Sequence, residues 1–209
     1  MPVRRADVID AAMELLDEGG LDQLSTRRIA ERLGVRVGAI YWHVKDKDEL
    51  LAELADRIVG SCLDEIPGPD QAAPGPAALA ERLTAAAHAV RRALLAHPDG
   101  AALVAGHAVP GPHSLVLADR LIGLTRAAGL PLPLAAHAGD TLLSYVTGFV
   151  LQEQRRRALT EDPQTPAPDL DLEGLPHLAA ALEEGLPDDE TTFAVGAGLI
   201  AAAVAGQVR

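Results

Sequence analysis

Apolar residues recur at helical spacing through most of the chain. Ile9, Ala12, Met13 and Leu16 fall at i, i+3, i+4 and i+7 and predict an amphipathic helix over residues 4–18, stopped by Gly19-Gly20. Ser25 is a suitable N-cap for the next helix, with Leu24 and Ile29 placed to pack across it. Ile29, Ala30 and Leu33 give that helix an inward stripe, and Gly34 supplies the left-handed residue that ends it. A second short helix is predicted over 37–44, with Ile40 and Val44 inward and Val37, Gly38, Ala39, Tyr41, Trp42 and His43 outward. Asp46, with Glu49 three residues later, opens a helix over 47–62 whose inward residues are Leu50, Leu51, Leu54, Ile58 and Val59. Two short helices joined by a glycine-containing turn form a helix-turn-helix, a unit that lays its second helix in the DNA major groove. An outward Tyr-Trp-His run costs solubility unless something covers it.

The run PGPDQAAPGP (67–76) interrupts the pattern, and helices resume over 77–97, 100–108, 114–128, 134–159, 176–184 and 189–207. The stretch 160–174 is rich in proline and acids and reads as a mobile loop. There is no strand pattern and no internal repeat. The expected fold is all-α, with about nine to ten helices: a helix-turn-helix domain over 1–62, including the connecting helix 47–62, and a helical ligand-binding and dimerisation domain over 63–209. Helices 134–159 and 189–207 carry small residues at helical spacing, namely Ala138, Thr141 and Gly148 on the first and Ala194, Gly198, Ala201 and Ala205 on the second. Such faces suit a four-helix bundle across a twofold axis, or tight packing within one chain.

Composition narrows this further. Apolar residues make up 48% of the chain but aromatics only 2%, so Ala, Leu and Val must pack the core, which favours closely approaching helices. The single Cys62 excludes an intramolecular disulfide and a cysteine-based zinc cluster, and fits a reducing cytoplasm. Residues 1–20 carry acids throughout and do not read as a signal peptide. The uncharged stretch 191–208 is dominated by Ala and Gly and reads as a helix buried between partners rather than as a membrane span. Residues 23–47 hold six Arg or Lys against two acids, so within a chain of net charge −12 the remainder carries −16. A cationic island on an acidic protein is the footprint of a polyanion partner.

Four segments bear a wider resemblance: VIDAAMELLDEGGLDQLSTRRIAERLGV (8–35), YWHVKDKDELL (41–51), RRALLAHPDGAALVAG (91–106) and GFVLQEQ (148–154). Together they resemble the TetR family of transcriptional repressors, and most closely its tetracycline-repressor subgroup. From the chemistry of the side chains, Arg27 has the reach for a bidentate contact to guanine, and Arg36 for a base or a phosphate. Val37 and Ala39 can touch thymine methyls, and Gly38 lets the backbone come close. Tyr41, Trp42 and His43 suit the phosphate chain, as do Thr26 and Lys47 at helix N-termini. The resemblance implies that Thr26, Arg27, Tyr41, Trp42, His43 and Lys47 contact DNA, and that the chain dimerises through helices 134–159 and 189–207. Val37-Gly38-Ala39 departs from the Gln-Pro-Thr with which the family's recognition helix often starts, so the operator should differ.

The acidic half offers His88, His107, His113, His137, Ser144, Thr147, Gln152 and Gln154 as polar groups for a small molecule. By resemblance, the ligand positions of the tetracycline-repressor subgroup fall on Leu63, Ala86, Val90, Val104, Ser144 and Gln152. Val104 stands where that subgroup has a histidine metal ligand, and Ala86 where it has an asparagine. The implied effector is therefore apolar or polyketide-like, not a tetracycline–magnesium chelate. His107 and His113 lack the spacing for one metal on one helix face, and neither metal nor cofactor is expected. No Ser/His/Asp order, phosphate-cradling glycine loop or carboxylate pair points to an enzyme. The expected function is a homodimeric repressor released from DNA by a small molecule, with an activator or a constitutive DNA-binding dimer as alternatives.

Overall fold

The computed structural model describes residues 3–68, 75–106, 111–161, 171–185 and 187–208. Among them all regular structure is helical. The elements are α1 (Arg5–Gly19), α2 (Thr26–Leu33), α3 (Val37–Ile40), α4 (Lys47–Gly60), α5 (Pro76–Leu95), α6 (Gly100–Gly106), α7 (Pro112–Ala127), α8 (Leu132–Glu161), α9 (Pro176–Glu184) and α10 (Asp189–Ala205), with short 3-10 turns at Leu21–Gln23 and Leu63–Glu65. No described helix is long and apolar enough to cross a membrane. His107, most of the proline-rich break and residues 162–170 of the expected mobile loop lie outside the described residues.

The punctuation works as the side chains dictate. Ser25 Oγ accepts from Arg28 N at 3.2 Å, and Gly34 adopts φ 65° and ends α2. Asp46 caps α4 by accepting from Glu49 N at 2.8 Å, while the Glu49 carboxylate takes the N–H of Lys45 at 2.6 Å rather than that of the cap residue. The helix expected over 37–44 is shorter. It ends at Ile40, and the amides of His43 and Val44 both close on the Ile40 carbonyl. Tyr41, Trp42 and His43 are weak helix formers and the first two turn their rings outward, so little on their own segment rewards a further turn, whereas Val44 is buried and pins the chain beyond it.

One core runs through the molecule. α1, α2, α3 and α4 share Leu15, Leu16, Ile29, Ile40, Leu50 and Leu54, and α4 continues onto α6 and α7. In the body, α5 lies between α8 and α10. Phe193, Ala197, Ala201 and Ala205 form the buried stripe of α10. Hence Ala201 and Ala205, with Ala138 on α8, serve packing inside the chain rather than the partner-facing surface read from their small size. Gly196 makes the approach possible: a Cβ there would sit 2.1 Å from the Tyr145 hydroxyl, which donates to the Phe193 carbonyl at 3.1 Å. Among the residues α10 leaves outward are Val195, Leu199 and Ala202, at i, i+4 and i+7.

Beneath this stripe lies a buried ionic cluster. Arg91 of α5 forms a bidentate pair with the fully buried Glu153 of α8, both contacts at 3.0 Å, and also reaches Glu190 of α10. Its guanidinium lies 4.8 Å from the Phe193 ring centroid, and Arg157 closes on Glu153 from the next turn of α8.

Between α5 and α6 the chain turns a corner at 96–99, with Asp99 at φ 57°, a conformation aspartate tolerates better than most residues. Gln154 of α8 holds the corner from one side. Its amide nitrogen donates to the carbonyls of Leu94 and His97, and its oxygen accepts from Ala101 N. On the other side the corner meets α1: the His97 ring lies 2.5 Å from an Asp17 carboxylate oxygen, and Asp99 accepts from Leu21 N at 2.9 Å.

Candidate nucleic-acid interface

Three consecutive segments present every residue expected to meet DNA: the start of α2 (Thr26, Arg27), α3 and its turn (Arg36, Val37, Gly38, Ala39, Tyr41, Trp42, His43) and the first residue of α4 (Lys47). Their placement follows from the anchors behind them. Ile29, Ala30, Ile40 and Val44 are buried, so the residues between them face out. Trp42 is 88% exposed and Tyr41 53%, a large cost in open water that contact with another surface removes. Around Gly38 an added Cβ would meet nothing within 4 Å, so this backbone is open to close approach. Thr26, Ala39 and His43 are half-buried, and their side chains reach outward less than their neighbours'.

The cations divide by environment. Arg32 is turned back onto α1, where it pairs with Glu14 and Glu18. Arg27 pairs with Glu31 at 2.9 Å, but both side chains are largely exposed, so the pair is weak and Arg27 remains free to exchange partners. Arg28, Arg36, Lys45 and Lys47 form no ion pair among the described residues. Arg28 and Lys45 thus join the cationic tip, although the side-chain roles read from the sequence passed over both. Their signal was only the local charge count.

The residues expected to meet a small molecule do not converge on one site. Ala86 and Val90 line a seam with Leu121, Leu142, Leu143 and Val146, packed too tightly to admit a water. Val104, Ser144 and Thr147 line an open groove of about 380 Å³ between α6 and α8, and Leu143 borders both groove and seam. Gln152 is exposed on α8, while Leu63 is buried with its carbonyl accepting from Arg120. His88 stands edge-on to Phe193, and Gln154 is committed to the α5–α6 corner.

His113 belongs to a different constellation. Asp56, on the buried face of α4, accepts from His113 N at 3.1 Å, Ser114 N at 2.8 Å and Ser114 Oγ at 2.9 Å, and lies 2.8 Å from His113 Nδ1. A helix of the N-terminal unit thereby caps the first turn of a body helix. Burial pushes the Asp56 carboxyl up, but the hydrogen bonds from Ser114 and His113 outweigh it and hold the group below the usual carboxylate range. Asp56 and His113 border a cleft of about 650 Å³ shared with Ala6, Ile9 and Ala52. Among the described residues no three His, Cys, Asp or Glu side chains are grouped to hold a metal ion.

Known proteins share this architecture. The family described as "Bacterial regulatory proteins, tetR family" matches residues 8–54, and that described as "Tetracyclin repressor-like, C-terminal domain" matches residues 72–206. The class A tetracycline repressor protein from transposon 1721 of Escherichia coli is 37% identical over 148 residues, which cover 70% of this chain but only 65% of the repressor. The Streptomyces coelicolor protein ActR, solved in complex with actinorhodin, superposes with a TM-score of 0.81 at 28% identity, over 100% of this chain and 99% of its own. BioQ, solved with its natural double-stranded DNA operator, is 34% identical with a TM-score of 0.64, over 76% of this chain and 92% of its own.

Proposed function

Since the chain belongs to the TetR family of DNA-binding transcriptional regulators, we propose that it is a repressor that grips a palindromic operator as a homodimer and is released by a small molecule bound in its body. The observation that carries the reading is the tip itself: outward Tyr41 and Trp42 beside unpaired Arg28, Arg36, Lys45 and Lys47, on an otherwise acidic molecule. The operator-bound structure of BioQ supports the DNA partner, and the actinorhodin complex of ActR supports a small-molecule effector. Arg27 and Arg36 read bases and Tyr41, Trp42 and Lys47 set register on the phosphates, while Val37, Gly38 and Ala39 make a smooth, methyl-bearing surface with few hydrogen bonds to give.

Dimerisation uses the outward stripe Val195, Leu199 and Ala202 of α10 beside the exposed face of α8, which places two tips about 34–36 Å apart, one turn of duplex. The effector enters by the groove at Val104, Ser144 and Thr147 and wedges against Leu143, the residue that groove and seam share. The groove is mostly aliphatic, with Val104 in place of a polar anchor and only the hydroxyls of Ser144 and Thr147 to offer, so a largely apolar effector fits and a tetracycline–magnesium chelate does not. Only a ligand that binds one tip separation better than the other can release DNA, through a coupling of about 1–3 kcal/mol.

Fluorescence anisotropy with the duplex upstream of its own coding sequence tests the DNA half. Saturable binding with a stoichiometry of two chains per site is expected, and indifference to that duplex at low salt overturns the reading. Thermal-shift measurement with tetracycline and magnesium tests the pocket: a large stabilisation abolished by EDTA would contradict an apolar site.

A further inference from the structure

We propose that Arg5 is a positioning residue for the DNA-reading tip: from the first turn of α1 it fixes the backbone of the Tyr41–His43 turn against α4. The inference rests on the DNA-binding reading above and starts from the length of α3. Four residues make one turn, and one turn has no stability of its own in water. Its direction must be imposed from outside. Ile40 and Val44 do this through burial at two points, but the turn between them carries Tyr41 and Trp42 outward and holds itself only by the bonds of His43 and Val44 to the Ile40 carbonyl.

Arg5 supplies the missing tie. One terminal nitrogen of its guanidinium donates to the His43 carbonyl. The other donates to the Glu49 carboxylate at 2.9 Å and to that of Glu53. The second oxygen of Glu49 accepts the N–H of Lys45 at 2.6 Å. One guanidinium and one carboxylate therefore fasten both the carbonyl of residue 43 and the amide of residue 45 to the first turns of α4. A planar, forked guanidinium can meet acceptors in several directions at once, which a lysine ammonium on a flexible stem does less well. Side chains that set register on phosphates must be held to about half an ångström, and this clasp holds the backbone that carries them.

The electrostatics separate this role from direct contact with DNA. The charge of Arg5 is already matched by two carboxylates, so it offers a phosphate little net attraction. Glu53→Gln then gives opposite signs for the two views. It removes a negative charge near the tip, which by charge alone tightens DNA binding, yet it removes one anchor of the clasp, which by positioning weakens it.

The test uses the full chain and the duplex upstream of its own coding sequence, titrated over a series of sodium chloride concentrations. It is paired with amide hydrogen exchange on the free protein and thermal melts to show that each variant is folded. Positioning predicts that Glu53→Gln and Arg5→Ala each weaken binding by about threefold to tenfold. It also predicts faster exchange at residues 43–45, an unchanged salt slope and partial rescue by Arg5→Lys. Tighter or unchanged binding by Glu53→Gln, or a salt slope for Arg5→Ala lower by about one phosphate contact, overturns it. If the wild type binds no duplex, the DNA reading falls instead, and exchange at 43–45 still decides whether the clasp exists.

Discussion

The Arg91–Glu153 pair allows a sharp quantitative prediction. Glu153→Gln keeps the shape of the side chain but removes its charge, and its amide group turns donors toward a guanidinium that has only donors. The Arg91 side chain is 7% exposed and cannot recover water, so its charge stays buried. Breaking one side of a buried pair costs about 3–5 kcal/mol. Arg91 retains Glu190, but that carboxylate is 66% exposed and its contribution is screened. It also retains the Phe193 ring, a contact of about 1–2 kcal/mol in a desolvated setting. Both place the expected loss at the lower end, about 3 kcal/mol. Urea denaturation at fixed protein concentration reads this as a midpoint lower by about 1 M, for a slope of about 2–3 kcal/mol/M. The double variant Arg91→Met, Glu153→Leu removes both charges and should lie within about 1 kcal/mol of the wild type or above it. A loss below about 1 kcal/mol for Glu153→Gln, or a double variant as unstable as the single, would refute the claim that a stranded buried charge sets the cost.

Three further outcomes follow. Arg27→Ala should cost about 1–3 kcal/mol and relax specificity at one base position, while Trp42→Ala weakens all sequences alike; a base-substitution binding assay showing equal losses for Arg27→Ala at every position contradicts this division. Leu199→Glu, in the outward stripe of α10, should shift sedimentation from dimer to monomer and make the melting temperature lower and less dependent on protein concentration, and an unaffected dimer removes that face from the interface. Asp56 has a depressed carboxyl pKa in the folded state, so its contribution is present above about pH 3.9 and is lost as the pH falls through the lower folded value. Asp56→Asn should therefore be less stable than wild type at neutral pH, with a gap that narrows below about pH 3.9 in denaturation series, and a constant gap across that range excludes the cap.

The helical skeleton was legible because short-range chemistry writes it. Ser25, Gly34 and Asp46 announce their caps locally, and the stripes of α1, α4 and α5 bury almost as their periodicity requires. The exposure of most residues expected to meet DNA could be read for the same reason: they are what remains when Ile29, Ile40 and Val44 turn inward. What could not be read depends on residues far apart in the chain. Arg91 and Glu153 are 62 positions apart, and each alone reads as a polar interruption of an apolar helix. Asp56 gives no sign within α4 that its acceptors serve α7. Small size in α10 said that something packs closely, but not whether it is α5 of the same chain or a second copy. The scattered ligand candidates show the same limit, because matching positions one by one carries no information on whether the space between them is open or filled.

The corner between α5 and α6 has a mechanical consequence. It is bolted to two bodies at once, and hydrogen bonds of this kind have a working range of about half an ångström. If α8 and the foot of α1 drift apart by more than that play, one set of bolts must yield. Gln154 grips the corner by three bonds, and the reading end grips it by two, from Asp17 to His97 and from the amide of Leu21 to Asp99. Neutral amide bonds tie the corner to α8 and carboxylate bonds tie it to the reading end, so neither tie is the obvious weak one and a shift of that long helix is felt at the heel of the reading head.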